Sequence, residues 1–332
     1  MTGNEGPARG RFGSWRPPGR VCDDGAMRSS ILAMTIVFVA ASGVADTAPS
    51  DRVSWSELEF KARKLFLSAT AKVTARVVDR AAAVGELRSS SGDRQAVQPS
   101  GDRVAVVTTV TDMPFGREEV ATAWIDHATG QALQAEKTVA GGGKYYWKLR
   151  RYVDDGYHRW RAEPEGRNER DAKAEAWSDR SERDYRWPSI PDDAAVTDPY
   201  ALLYLISVAR LDRDDARLDI LLSSKDRVVE LSFAAAGLVR RDEKWTETWE
   251  TGSRPRSDAV VLRRVEGTAS SVDGEVAGGD IDTGFFGMEG PLTIYVEPGT
   301  GMPVVVEGKA SGIGHLEVRL ERAVLCAAPP GE

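Results

Sequence analysis

The chain has 332 residues, with 51 acidic and 44 basic side chains, three histidines and two cysteines. A nucleic-acid-binding protein needs a surplus of Lys and Arg to neutralise phosphates, so the net charge of −7 argues against that class of partner. Two cysteines exclude a disulfide scaffold and a multi-cysteine metal cluster. No stretch reaches the roughly 18 consecutive apolar residues of a membrane-spanning helix.

Residues 27–45 have the layout of a secretory signal peptide. A short basic start at Met27 precedes an apolar run over 31–41, and small residues follow up to Ala45. We predict cleavage near Ala45 and a periplasmic or secreted protein of the bacterial envelope. A buried core helix is the alternative, but the Pro- and Asp-rich sequence after Ala45 disfavours it. Residues 1–26 are interpreted as an upstream extension that precedes the true start.

The clearest local pattern is the alternation of small or apolar residues with polar ones from Leu65 to Val77, which predicts a long strand with one buried face. A helix, suggested by the alanines, would spread these residues around its circumference. Short strand-like segments separated by Gly, Asp and Pro follow. They predict a mainly β fold, a large curved antiparallel sheet or open barrel. These segments are 104–110, 119–125, 132–139, 144–153, 157–162, 218–222, 228–233, 259–265, 292–296, 302–307 and 315–325.

One mid-chain helix interrupts the strands. Asp198 is a suitable N-cap, Pro199 fits the first helical position, and the following apolar residues up to Arg210 predict a buried helix that plugs or covers the sheet. The charged range 163–193 has little periodicity and predicts a long surface loop. Residues 46–332 are thus expected to form one β-rich exported domain that carries this loop.

The predicted elements follow a recognisable order. A long strand of small residues comes first, then paired strands around an Asp-containing turn, then a helix that begins with Asp-Pro. A hairpin with Pro before a β-branched run and an amphipathic last strand complete the order. These features lie at Leu65–Val77, 126–130, 198–210, 295–306 and 312–320. In this order they resemble a group of exported bacterial domain-of-unknown-function proteins, over residues 55–325. The resemblance implies a curved β-structure and an envelope location, and it implies no activity.

The sequence offers little for catalysis or metal binding. It lacks a Gly-x-Ser-x-Gly nucleophile elbow. Its histidines, His127, His158 and His315, fall in separate predicted segments without the spacing of metal ligands. Three glycines before Lys144 favour a hairpin tip over a phosphate-binding loop. We therefore predict no catalytic, cofactor-binding or metal-binding residue and no cofactor.

Aromatic and basic side chains are concentrated between residues 145 and 161. On a strand, the odd-numbered residues from Tyr145 to Arg151 share one face and the even-numbered residues from Tyr146 to Tyr152 share the other. One interpretation is an ordinary sheet with a core face. The other is a surface of rings and cations suited to sugars or anionic headgroups. The predicted ligand-binding residues are Leu67, Ala69, Ala71, Val73, Tyr145, Trp147, Arg151 and Trp160.

Small side chains on the first strand leave room inside a curled sheet, which favours a non-enzymatic binding protein for an amphiphilic or lipid-like ligand. The expected partners are a lipid or glycan, or an envelope protein, with no nucleic acid and no transmembrane span in the mature chain. One alternative is a hydrolase or lyase that acts on envelope polysaccharide through a carboxylate pair. Another is a scaffold in envelope assembly.

Overall fold

The computed structural model describes residues 53–64, 67–89, 94–187, 190, 194–224, 227–272, 287–310 and 312–327. The predicted signal peptide, the upstream segment before it and the first two residues of the predicted long strand, 65 and 66, lie outside the described residues. Within the described ranges, no helix is long and apolar enough to cross a membrane.

Strands dominate the described residues, which confirms the prediction of a mainly β fold. Within the described ranges the α-helices are α1 (Arg80–Glu86), α2 (Arg167–Arg170) and α3 (Leu202–Ala209). The strands are β1 (Trp55–Lys64), β2 (Leu67–Asp79), β3 (Arg103–Met113), β4 (Arg117–Asp126), β5 (Ala132–Ala140), β6 (Tyr146–Val153), β7 (Gly156–Glu163), β8 (Asp179–Arg186), β9 (Val196–Thr197), β10 (Arg217–Ser224), β11 (Arg227–Trp249), β12 (Gly252–Ser271), β13 (Met288–Val296), β14 (Pro303–Ala310) and β15 (Gly314–Leu325).

These fifteen strands of the described chain form one sheet, in the order β8-β7-β6-β5-β4-β3-β2-β1-β15-β14-β13-β12-β11-β10-β9. Neighbours are antiparallel except β9 and β10. The long strand β11 also pairs in parallel with β15, through 246–248 and 322–324, and this closes a ring of five strands. The first and last strands, β1 and β15, are direct neighbours in the sheet.

The sheet curves around α3. Residues 202–207 are buried, and they pack against apolar side chains of β1–β4 on one side and β10–β15 on the other. Asp198 accepts a hydrogen bond from the Tyr200 backbone N–H at 3.1 Å and begins the helical segment, as the sequence predicts. Arg210 ends it in a left-handed conformation with a φ of +53°. We call the sheet face that packs against α3 the inner face and the opposite one the outer face.

The charged range predicted as a loop, 163–193, is more ordered than expected. Its described part contains α2, a helical turn at Ala174–Ala176 and the edge strand β8, which pairs with β7 over its whole length. Seven of the eight residues of β8 are exposed and most are charged, so no buried face marks the strand in the sequence. Charged side chains on an edge strand also discourage pairing with other molecules.

Candidate functional site

A set of basic side chains occupies the inner face of β5 to β8. The register pairs Ala123 of β4 with Ala135 of β5, and Ala135 with Arg150 of β6. Because Ala123 packs in the core with α3, Arg150 lies on that same inner face. The residues of this set, which we call the cationic ladder, are Lys137, Lys148, Arg150, Arg159, Arg161 and Arg183.

The cationic ladder places like charges directly opposite each other across three strand interfaces. Lys148 lies between Lys137 and Arg161. Arg159 lies between Arg150 and Arg183 (the latter on β8). Directly opposed like charges are destabilising. A surface that breaks a local stability rule repeatedly is a candidate for function.

Three carboxylates compensate half of the ladder. Glu119 Oε2 is 2.5 Å from Lys137 Nζ, Asp198 Oδ2 is 2.7 Å from an Arg150 Nη, and Glu163 pairs with Arg161. Each carboxylate is therefore held by one cation of the ladder.

The other three cations, Lys148, Arg159 and Arg183, have no ion pair within the described part of the chain. The Arg159 Nε is buried without a hydrogen-bond partner there. A buried donor without an acceptor costs free energy that a bound acceptor would recover. Lys148 and Arg159 are half-buried and Arg183 is exposed, so solvent reaches the ladder.

The electrostatic cost is concentrated at Lys148. Burial, followed by the charges of Arg161, Arg159, Lys137 and Arg150, lowers the pKa of Lys148 to about 8. Burial would also lower the pKa of Lys137, but Tyr200 and Glu119 outweigh it and raise that pKa. The ladder therefore carries positive charge that the fold itself does not neutralise.

Tyrosine rings lie among these cations. The Tyr146 ring centroid is 4.6 Å from Lys148 Nζ and 5.1 Å from the Arg161 guanidinium carbon. The Tyr185 ring centroid is 4.9 Å from the Arg159 guanidinium carbon and 5.0 Å from that of Arg183. Such rings stabilise cations and also offer apolar contact area to a ligand.

Asp198 connects the ladder to the helical segment. Its carboxylate is fully buried, accepts a hydrogen bond from the Tyr152 hydroxyl at 2.5 Å and pairs with Arg150. Burial raises the pKa of Tyr152 well above its usual range, so this hydroxyl stays protonated and donates. The residue that begins the helical segment thus also positions a cation of the ladder.

The predicted aromatic site residues lie on the outer face, away from the ladder. Trp147 and Trp160 are 9% and 5% exposed and pack with Trp177 from the segment after α2. Tyr145 is half-buried, with the Arg170 guanidinium 5.0 Å from its ring. Chain segments that follow α1 and α2 cover this face, so the two tryptophans form a small core under them.

Arg151 is also on the outer face and is 2% exposed. Its guanidinium donates to the backbone carbonyls of Arg88, Leu133 and Val97, at 3.0, 2.5 and 2.9 Å. It also lines a cavity of about 350 Å³ beside α1. Its hydrogen bonds tie the segment after α1 to the sheet.

The other predicted site residues belong to β2. Leu67 is its first residue, Ala69 is half-buried, and Ala71 and Val73 are buried. Val73 lies opposite Leu58 of β1 and packs in the core around α3. The structure therefore brings Ala69, Ala71 and Val73 to the inner face and the aromatic residues to the outer face, and it does not bring the two sets together.

The histidines are separate, as predicted: His127 is 2.6 Å from the Tyr204 hydroxyl, His158 contacts Asp184, and His315 begins the last strand after Gly314. Among the described residues, no group of three or more His, Cys, Asp or Glu side chains could hold a metal ion.

The basic residues of 145–161 are evident in the sequence, but the predicted site residues lie on the tryptophan face. Lys137, Arg183 and Tyr185 are not among the predicted site residues, because Lys137 lies on the preceding strand and the other two lie in the range predicted as a loop. No alternation of apolar and charged residues marks β8 in the sequence, so no local signal places Arg183 and Tyr185 on a strand.

A cationic surface with aromatic rings is suited to hold an anion by charge-assisted hydrogen bonds. Comparison of the chain with protein-family models, curated proteins and solved structures found no match.

Proposed function

We propose that the protein is a non-enzymatic binding protein of the cell envelope that holds the anionic end of an amphiphilic, lipid-like ligand on the cationic ladder. The observation that carries this proposal is the series of directly opposed cations, of which Lys148, Arg159 and Arg183 lack a counter-ion among the described residues. An anion at this position would relieve the repulsion. The tyrosines beside the cations would contact the apolar part of the ligand.

Export is part of the proposal and is supported by the signal-peptide layout of 27–45, with cleavage near Ala45. The hydrolase or lyase alternative gains no support from this surface, because each of its three carboxylates is held by a cation. Glycoside hydrolysis needs two carboxyl groups that face the same bond.

The test is calorimetric titration with two water-soluble short-chain lipids, dihexanoyl phosphatidylglycerol, which is anionic, and dihexanoyl phosphatidylcholine, which is zwitterionic. We expect the anionic lipid to bind about tenfold more tightly and to lose affinity with added salt, since exposed charges are screened. Arg183→Gln should weaken its binding about tenfold, as expected for one charge-assisted hydrogen bond.

The matched control is Arg186→Gln, which removes the same charge from the same strand on the outer face, where Arg186 is exposed. It should leave the affinity unchanged. Equal affinity for the two lipids, or an equal loss in both variants, would contradict the proposal.

A further inference from the structure

The three cations without an ion pair lie on three successive strands. Arg159 of β7 is directly opposite Arg183 of β8. Lys148 of β6 is opposite Arg161 and therefore diagonal to Arg159. Directly opposite side chains in a sheet start about 5 Å apart and diagonal ones about 7–8 Å apart. The uncompensated charge is thus divided into an arginine pair and a separate lysine.

We infer that the ligand carries two anionic phosphoryl or sulfate groups, one bound by Arg159 and Arg183 and the other by Lys148. This inference rests on the proposed function, because it concerns the same surface. It adds the number of anionic groups and a minimum spacing of about 7–8 Å between them, which is the diagonal distance from Lys148 to Arg159.

The arginine pair has the chemistry for one oxyanion. Guanidinium groups present planar sets of N–H donors that match phosphate and sulfate oxygens, and the Arg159 Nε is a buried donor without a partner in the described chain. The two guanidinium groups share one aromatic neighbour, because their carbons lie 4.9 Å (Arg159) and 5.0 Å (Arg183) from the Tyr185 ring centroid.

The lysine position is different in kind. Lys148 is a compact charge that lies directly between Lys137 and Arg161 in the sheet. Each of those two neighbours already pairs with a carboxylate. An anion on the arginine pair would leave this position unneutralised. A second anionic group on the same molecule would satisfy it, and the tether between the two groups would raise its local concentration.

The experiment compares glucose 1-phosphate, glucose 6-phosphate and glucose 1,6-bisphosphate by calorimetric titration of the full protein. The bisphosphate should bind about tenfold or more tightly than either monophosphate. Lys148→Gln should reduce bisphosphate affinity to the monophosphate level and change monophosphate affinity about twofold or less, whereas Arg183→Gln should weaken all three. Lys144→Gln, at the exposed β5–β6 tip, is the matched lysine control. Thermal unfolding of each variant establishes that it is folded.

The titrations with sugar phosphates and with lipids together distinguish a failure of the two-anion site from a failure of the proposed function. If the bisphosphate binds no more tightly than the monophosphates, or if none of the three binds while dihexanoyl phosphatidylglycerol does, the two-anion inference is overturned and the proposed function stands. If the protein binds the bisphosphate more tightly than the monophosphates but binds the two lipids equally, the proposal of a lipid-like ligand is wrong and the two-anion site stands. If no probe binds, both are overturned.

Discussion

Replacing Arg159 with methionine should stabilise the protein while it abolishes anion binding. Arg159 faces Arg150 and Arg183 across two strand interfaces, and each opposed pair costs about 0.2–1 kcal/mol. Its buried Nε without a partner adds about 1 kcal/mol at the low end of the usual range. Against this, the contact with Tyr185 is worth about 0.5–1 kcal/mol.

The balance favours the variant by about 1 kcal/mol, because methionine keeps most of the apolar stem of arginine while it removes the charge and the buried donor. For a folded unit of this size, that change corresponds to a rise in melting temperature of about 2–4 °C. The assay is thermal and denaturant unfolding without ligand, followed by the same measurement with dihexanoyl phosphatidylglycerol. The ligand should stabilise the wild type and leave the variant unchanged.

Arg186→Met is the control, since it changes an exposed outer-face residue of β8 and should alter the unfolding free energy by less than about 0.5 kcal/mol. A decrease of 1 kcal/mol or more in the unfolding free energy of Arg159→Met would contradict this prediction. That result would mean that Arg159 supports the sheet rather than straining it.

Three further predictions follow from the geometry. The pKa of Lys148 in the folded protein is about 8, below the unfolded value of about 10.4, so the unfolded chain binds more protons between these two values. The unfolding free energy should therefore rise with pH across this window in the wild type and not in Lys148→Gln, as measured by denaturant unfolding. Asp198→Ala should lower the unfolding free energy by about 3–5 kcal/mol, because it removes the counter-ion of the half-buried Arg150 and the acceptor of the buried Tyr152 hydroxyl, and an unchanged melting temperature would contradict this. Gly141→Ala should cost about 3 kcal/mol, because its φ is +90° and a Cβ would lie 1.9 Å from the Gly116 carbonyl oxygen. The control is Gly143→Ala: Gly143 has a φ of +78°, but a Cβ there would meet nothing within 4 Å, so this variant should lose only about 1 kcal/mol of unfolding free energy. Equal losses of unfolding free energy in the two variants would contradict the role of the close contact at Gly141.

The strands that alternate or are rich in β-branched residues could be predicted from the sequence, and so could α3, because its cap and its apolar run are local signals. β8 could not, because an exposed edge strand has no buried face to impose alternation. The parts of β11 and β12 nearest their connecting hairpin could not be predicted either. They carry partly buried ion pairs, such as those of Arg241 with Glu243, Glu307 and Glu317, and charged residues ordinarily indicate surface.

The candidate site illustrates a second limit of sequence. Alternation correctly divided β6 into two faces, but nothing local tells which face another segment covers. Trp147 looked suited to bind a ligand because it is aromatic and next to cations, yet Trp177, thirty positions later in the chain, covers that face. The opposition of Arg159 and Arg183 depends on the register of β7 with β8, which sequence spacing alone does not fix.

The adjacency of the first and last strands determines when this protein can finish folding. Arg322 bonds Glu59 at 2.7 Å across a separation of 263 positions, and β15 also holds β11 in the closed ring. Contacts of such sequence separation slow folding because the intervening chain must be ordered first. During synthesis, β1 has no partner on one of its edges until the ribosome has released β15. The native structure is therefore reached only after translation has passed the last strand, and a chain arrested before it would expose an unpaired edge.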